Sequence, residues 1–321
     1  MRTRNVPPPS PSSCPGKSAA NPVQGEPSGE ALTSKPADAP PLAPGLYVVA
    51  TPIGNLRDIT LRALDVLKAA DVIACEDTRV SGQLFHRYGL KPRLVSYHEH
   101  NADRMRPRLL EHLNGGESVA LISDAGSPLL SDPGYRLVND VIAAGHSVIP
   151  IPGPSAVTTA LMAAGIATDR VLFAGFLPSR EGARQRAIAE LAAVPATLVL
   201  FESARRLAAT LADLSSGLGP QRPVAVCREL TKLFEEIRRG PLSEVAQHYA
   251  DAGPPKGEVT LVIGRAPEAK APTDDEAVDR LLNEALLTQS TSEAARTVAR
   301  LTGRARQGLY ARALELGRDR P

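Results

Sequence analysis

The run Val119-Ala120-Leu121-Ile122 has no polar alternation and therefore reads as a strand buried on both faces, which points to a parallel sheet covered by helices. Eleven residues rich in Gly, Ser, Pro and Asp follow it, Asp124 to Gly134. From Tyr135 to Ala144 the apolar residues then recur at helical spacing, and Gly145 supplies the stop. A connection from strand to helix usually takes about two to six residues, so this one is long. In open α/β sheets the crevice outside the carboxyl ends of the strands is where ligands bind. A rigid surface loop would have the same composition, so the loop marks a candidate site without defining its chemistry.

The same alternation runs through the chain from Gly45. Leu46–Ala50, Val72–Cys75, Arg93–Tyr97 and Val148–Ile151 read as further strands. Between them lie a helix capped by Thr60 with Leu61, Leu64 and Leu67 on one face, a helix stopping at Gly89, and one around Arg108–Leu113. This βαβα order predicts an α/β domain over residues 45–152 with a mostly parallel sheet. Pro152-Gly153-Pro154-Ser155 punctuates the chain, and a second α/β domain is expected over 153–266. Its strands read as Val171–Phe176, Ala196–Glu202, Val224–Arg228, Leu233–Arg238 and Glu258–Gly264, and its helices as Ala156–Ala164, Arg180–Ala193 and Ala204–Leu214. Consecutive strands late in this half imply some antiparallel pairing.

The two ends are different material. Residues 1–44 hold 11 of the 29 prolines and show no apolar period, so they read as a disordered tail. Gly16-Lys17-Ser18 imitates the end of a phosphate-binding loop, but Pro11 stands where the leading glycine belongs. Ala266–Thr273 reads as a linker, and 274–318 as a helical module. Within it Ala299 precedes Gly303 by four residues between apolar helices, the spacing of a helix-turn-helix. Seven Arg against Glu293, Glu315 and Asp319 from Thr288 onward form a local basic footprint suited to phosphates, although a solvated helix face has the same look.

Composition narrows the function by exclusion. With 37 Lys and Arg against 35 Asp and Glu, global charge names no partner. Cys14, Cys75 and Cys227 are odd in number and widely spaced, which argues against a disulfide framework or zinc site and fits a reducing cytoplasm. No run approaches the roughly 18 apolar residues of a membrane span. Trp is absent and aromatics are 3%, which disfavours an open base-stacking sheet. GxGxxG after the first strand, GxxxxGK[ST], HExxH and GxSxG are all missing, so dehydrogenase, P-loop, zinc-hydrolase and serine-hydrolase readings fall away. What remains is an α/β enzyme with a small-ligand cleft between loops of two domains.

Five loops carry a resemblance: Thr51-Pro52-Ile53-Gly54-Asn55, the Asp124 loop, Pro152-Gly153-Pro154-Ser155-Ala156, Phe201-Glu202-Ser203 and Lys256-Gly257-Glu258-Val259-Thr260. Together they resemble the tetrapyrrole-methylase superfamily of class III, S-adenosylmethionine-dependent methyltransferases. Ala50–Thr60, Cys75–Arg79, Ser96–Asn101 and Ser123–Gly134 are similar to its small-subunit ribosomal RNA methyltransferase I branch, from about Gly45 to about Gly317, including the helical module. The resemblance implies a two-lobed fold, a homodimer, and methylation of a cytidine ribose 2′-hydroxyl in the decoding centre of 16S rRNA or the small ribosomal subunit.

By the same resemblance the cofactor would meet Pro52, Asp124, Ala125, Gly126, Ser127, Pro128, Pro154, Ser155, Ala156, Phe201, Glu202 and Thr260. Displacement at a weakly acidic hydroxyl needs a base or a cation nearby, for which His98, Glu76, Asp77 and Lys256 are the candidates. Arg79, Arg296, Arg300, Arg304 and Arg306 are the candidate RNA contacts. No metal is expected: His98 and His100 at i and i+2 lack a third ligand. Asp132 is expected to cap the helix beyond it. Two other readings stay open, a corrin or sirohaem C-methyltransferase and a non-enzymatic nucleic-acid-binding regulator.

Overall fold

Alternate residues of each strand in the first half face opposite layers of helix, and that pattern builds the domain. The computed structural model describes residues 42–265 and 274–318; the Pro-rich segment up to Pro41 and the linker expected at 266–273 lie outside the described residues. The last residues assigned to the tail are ordered: Leu42 packs on the first core, and Tyr47 Oη donates to the Ala43 carbonyl at 3.0 Å.

Strands β1 (Gly45–Val49), β2 (Val72–Cys75), β3 (Leu94–Ser96), β4 (Ser118–Leu121) and β5 (Val148–Ile151) form one sheet in the order β3-β2-β4-β1-β5. Every pairing in it is parallel. The connections are α1 (Leu61–Ala69), α2 (Thr78–Arg87), α3 (Ala102–Asn114) and α4 (Tyr135–Ala143). Ala63, Val66 and Leu67 of α1 and Leu84 and Phe85 of α2 bury one face with Val49, Ile73 and Ala120. Met105, Leu109 and Leu113 of α3 and Leu137 and Val141 of α4 bury the other with Leu46, Ala74 and Leu121. As its sequence predicts, Thr60 caps α1 by accepting from Ala63 N at 3.1 Å.

The second sheet is mixed. After α5 (Ala156–Ala164) come β6 (Val171–Phe176), α6 (Glu181–Ala192), β7 (Thr197–Ser203), α7 (Leu207–Leu218), β8 (Pro223–Arg228), β9 (Glu236–Pro241), α8 (Leu242–Ala252) and β10 (Glu258–Ile263). The order is β6-β7-β10-β8-β9, and only β6 and β7 pair in parallel. Helices α6, α7 and α8 cover one face, and α5 covers the other together with Ile53 from the first half.

Two expectations are corrected here. The strand expected at Leu233–Arg238 begins only at Glu236, because Glu229 and Thr231 take left-handed backbone angles (φ 52° and 66°) that turn the chain out of the sheet. Leu233 and Phe234 are left in solvent. Helix α8 was missed, although Leu242, Val245 and Tyr249 form its buried i, i+3, i+7 stripe.

Helices α9 (Asp275–Ala285), α10 (Thr291–Thr302) and α11 (Arg306–Arg318) have a core of their own, built from Val278, Leu282, Ala295, Val298, Leu309 and Ala313. A capping box of Ser290 and Glu293 starts α10, and Gly303 (φ 69°) ends it in the tight turn its spacing predicts. Among the described residues no helix is long and apolar enough to cross a membrane.

Candidate active site

Strand order places the site. After β2 the chain moves outward to β3, whereas after the neighbouring β4 it moves the other way to β5. The carboxyl ends of β2 and β4 therefore part, leaving a crevice. Asp124 Oδ1, from the loop after β4, accepts from the Asp77 backbone N–H at 3.0 Å and spans that gap. The same loop is pinned to the loop after β1: Thr51 N donates to Gly126 O at 2.8 Å, Gly126 N returns to Thr51 O at 3.0 Å, and Thr51 Oγ1 donates to Ser123 O at 3.1 Å. Gly126 is left-handed there (φ 78°), and so are Leu129 and Ser131 (φ 77° and 66°), which lack glycine's freedom. Such angles persist only where surrounding contacts impose them, as at a ligand-holding loop.

A cavity of about 940 Å³ opens above this loop, between it and the ends of β6, β7, β8 and β10. Asp124, Ala125, Gly126, Ser127, Ser155, Ala156, Phe201, Glu202 and Thr260, all expected at the cofactor, line it, as does Lys256. Pro52, Pro128 and Pro154, also expected at the cofactor, are not among the lining residues; Pro154 O accepts from Ser127 Oγ at 3.3 Å. The Glu202 carboxylate is already occupied by Ser203 N, Arg206 and Thr210 (2.7, 2.9 and 2.6 Å), so it braces the wall. Phe201 packs edge-on to Phe173 at 4.9 Å and near Phe176 at 5.6 Å. Cys227 also lines the cavity, but burial pushes its thiol up to about 11, which leaves it an inert wall atom.

The other candidate catalytic groups sit at the edge of the crevice. Asp77 caps α2 and clasps Arg79, whose guanidinium holds its carboxyl down to about 2, so Asp77 is a poor proton acceptor. Arg79 is therefore ion-paired, with its side chain in solvent. Burial, and then the charges of Asp124, Asp132 and Asp77, push the Glu76 carboxyl upward. His98 lies beyond the lining residues with its Nδ1 buried and unbonded among the described residues, its ring edge-on to His100 at 6.0 Å.

Asp132 does not cap α4, whose N-cap is Gly134 with no side-chain bond. It turns into the cavity instead, where burial and then the charge of Asp124 raise its carboxyl and Ser123 offsets part of that rise. Asp132, Leu130, Phe176 and Arg205 are lining residues that sequence reasoning missed. Phe176 was findable, since it ends a strand on the same side as Phe201.

The far wall depends on one glycine. Lys232 Nζ bonds Glu229 Oε1 at 2.8 Å and Glu258 Oε2 at 2.9 Å, and Glu258 N donates to Glu229 Oε1 at 3.0 Å. A Cβ on Gly257 (φ 93°) would collide with the Glu229 carboxylate. Gly257→Ala is expected to cost about 1–3 kcal/mol of stability, read as a lowered midpoint in denaturant. An unchanged midpoint would mean that this loop is not held as described.

In the three-helix module the basic footprint is partly spent. Arg304 pairs with Asp275 at 2.6 Å, Arg306 Nη2 donates to Ser292 Oγ at 3.0 Å, and Arg312 is held by Asp279 and Glu315. Arg296 and Arg300 stand exposed one turn apart on α10.

Residues 45–246 match the family of Tetrapyrrole (Corrin/Porphyrin) Methylases, and 272–317 match the RsmI C-terminal HTH domain. A ribosomal RNA small subunit methyltransferase I of Mesorhizobium japonicum is 56% identical over 280 residues, covering 87% of this chain and 94% of that one. The protein of the same name in Escherichia coli O157:H7 is 44% identical, covering 84% and 94%. The chain belongs to the ribosomal RNA small subunit methyltransferase I family. It is a methyltransferase of the tetrapyrrole-methylase fold. That fold is shared with uroporphyrin-III C-methyl transferase from Thermus thermophilus, solved in complex with S-adenyl homocysteine, at 21% identity and a TM-score of 0.50, covering 69% of this chain and 98% of that one.

Proposed function

We propose that the chain transfers the methyl group of S-adenosylmethionine to the ribose 2′-hydroxyl of a decoding-centre cytidine in 16S rRNA, either free or in the small ribosomal subunit. The observation that carries this reading is the presence, in one chain, of the acid-ended cavity and a separately cored three-helix module with Arg296 and Arg300 exposed. A macrocycle methylase needs the first feature and has no use for the second. A purely DNA- or RNA-binding regulator needs only the second. By family resemblance the proposal extends to a homodimer, with lobes 45–152 and 153–266, working in the cytoplasm.

The cavity's chemistry fits the cofactor. Asp124 and Asp132 offer carboxylates to cationic groups, and Phe201, Phe176 and Leu130 offer an apolar wall for a purine ring. When bound, the cofactor supplies an activated methyl group that needs no metal. The residues of the chain then have three tasks. Backbone groups and carboxylates of the Asp124 loop orient the cofactor. Lys256 stabilises negative charge building on the ribose oxygen. Asp132, its carboxyl raised by burial, is placed to accept a proton within the cavity.

A pH effect follows. A bound cation favours ionised carboxylates, while Asp132 and Glu76 resist ionisation in the folded protein. S-adenosylmethionine affinity is therefore expected to weaken on acidification, starting at a higher pH than an ordinary carboxylate would set, and Asp132→Asn should flatten that dependence in calorimetric titrations. Affinity that rises on acidification would place these carboxylates away from the cation.

Mapping of ribose methylation on small-subunit RNA from a deletion strain tests the reading. A decoding-site cytidine should lose its methyl group and regain it on complementation; if no ribose methyl changes, the rRNA reading fails. A chain ending at Arg265 is expected to bind S-adenosylmethionine within about twofold of the full chain and to lose RNA methylation, since the module has its own core.

A further inference from the structure

Behind the cofactor cavity lies a second one of about 440 Å³, and residues 253–257 form the partition between them. Pro255 and Lys256 line both cavities. The second is walled by Phe234, His248, Tyr249 and Pro254, with Arg228 and Glu236 at its polar edge. The rings of His248 and Tyr249 meet edge-on at 5.1 Å.

One exposure is unexplained by folding. Phe234 is 70% exposed and its neighbour Leu233 89%, although the turn that carries them is stiff. Its left-handed Glu229 and Thr231 are fixed by the Lys232 ion pairs, by Thr231 N donating to Glu235 Oε2 at 2.7 Å, and by Asn55 N donating to Thr231 Oγ1 at 3.1 Å. The hydroxyl of Tyr249, a residue only 3% exposed, is engaged by Arg238, which lies outside the cavity lining.

An exposed Phe234 ring, imidazole and proline faces, and the Arg228–Glu236 ion pair at the edge are the chemistry that holds an unstacked base. A base hangs from the same ribose whose 2′-hydroxyl must enter the cofactor cavity, so base and hydroxyl need adjoining compartments, and these two share Pro255 and Lys256.

We propose that the second cavity receives the pyrimidine base of the target nucleotide, drawn out of the RNA, with the ribose at the Pro255–Lys256 partition. Phe234 and Leu233 form the apolar rim that displaces the base from its stack and faces the gap it leaves. This assignment rests on the function proposed above.

The experiment uses the full chain and small subunits whose RNA carries 5-iodocytidine at the position that the wild-type chain methylates. Irradiation should cross-link that base to Phe234 or His248, located by mass spectrometry of the peptide. Phe234→Ala, at an exposed position, should raise KM for small subunits by about tenfold or more and leave S-adenosylmethionine affinity unchanged. Leu233→Ser should act in the same direction. Cross-linking to Phe176, Phe201 or the three-helix module overturns the assignment, and so does wild-type KM in Phe234→Ala without a cross-link in the second cavity. If the wild-type chain leaves small-subunit RNA unmethylated, the functional reading itself falls and takes the subsite with it. Methylation by wild type with indifferent variants removes the subsite alone.

Discussion

Lys256→Met is expected to lower the single-turnover methylation rate by about 10²–10⁴-fold while leaving S-adenosylmethionine affinity within about twofold. A ribose hydroxyl is a poor nucleophile until its proton leaves or a cation stabilises the developing charge. Of the four candidates His98, Glu76, Asp77 and Lys256, only Lys256 lines the cavity. Asp77 is tied to Arg79, and its carboxyl is held at about 2. The Lys256 backbone is fixed because its carbonyl accepts from Arg228 Nη1 at 3.1 Å, while the side chain is exposed to the partition between the two cavities. Lys256→Arg should recover part of the rate by restoring the charge. A rate within threefold of wild type for Lys256→Met would remove it from the chemistry and return attention to Asp132.

The second large effect is expected at Asp124. Asp124→Asn should weaken S-adenosylmethionine binding by about 10–100-fold, the worth of one charge-assisted hydrogen bond to a cationic ligand. Asparagine keeps an oxygen for the Asp77 N–H, so the start of α2 should survive and thermal stability should change little. Asp124→Ala removes that acceptor too, and a further loss of stability of about 1–3 kcal/mol is expected from the stranded N–H. Calorimetric titration separates the two substitutions. Wild-type affinity in Asp124→Asn would show that the carboxylate serves only the loop.

Part of this architecture is legible residue by residue. Continuous apolar runs such as Val72–Cys75 and Val119–Leu121 have to be strands buried on both faces, and both are fully buried in the parallel sheet. Thr60 and Gly303 mark helix ends because each meets a purely local demand, a side-chain acceptor for an N–H or a left-handed residue. Leu233–Phe234 reads as the start of a strand because apolarity alone cannot distinguish a strand from an exposed turn. What decided it was the left-handed backbone at Glu229 and Thr231, which is held by Lys232, Glu235 and Glu258 from outside that short segment. The basic footprint is similar: Arg304 and Arg306 count as cations in sequence, yet Asp275 and Ser292 on other helices engage them.

That alternating strands and helices place Gly-, Ser- and Asp-rich loops at strand ends follows from the amino-acid order alone, because periodicity and loop chemistry act over a few neighbouring residues. The family follows from it too, since long stretches such as Ser123–Gly134 are specific in order as well as composition. That Asp132 turns inward, that Phe176 joins Phe201 in one wall, and that Lys256 stands between two cavities emerge with the folded chain. Those outcomes depend on which strands become neighbours in β3-β2-β4-β1-β5 and β6-β7-β10-β8-β9, and on burial that alters a carboxyl only once distant segments have closed over it.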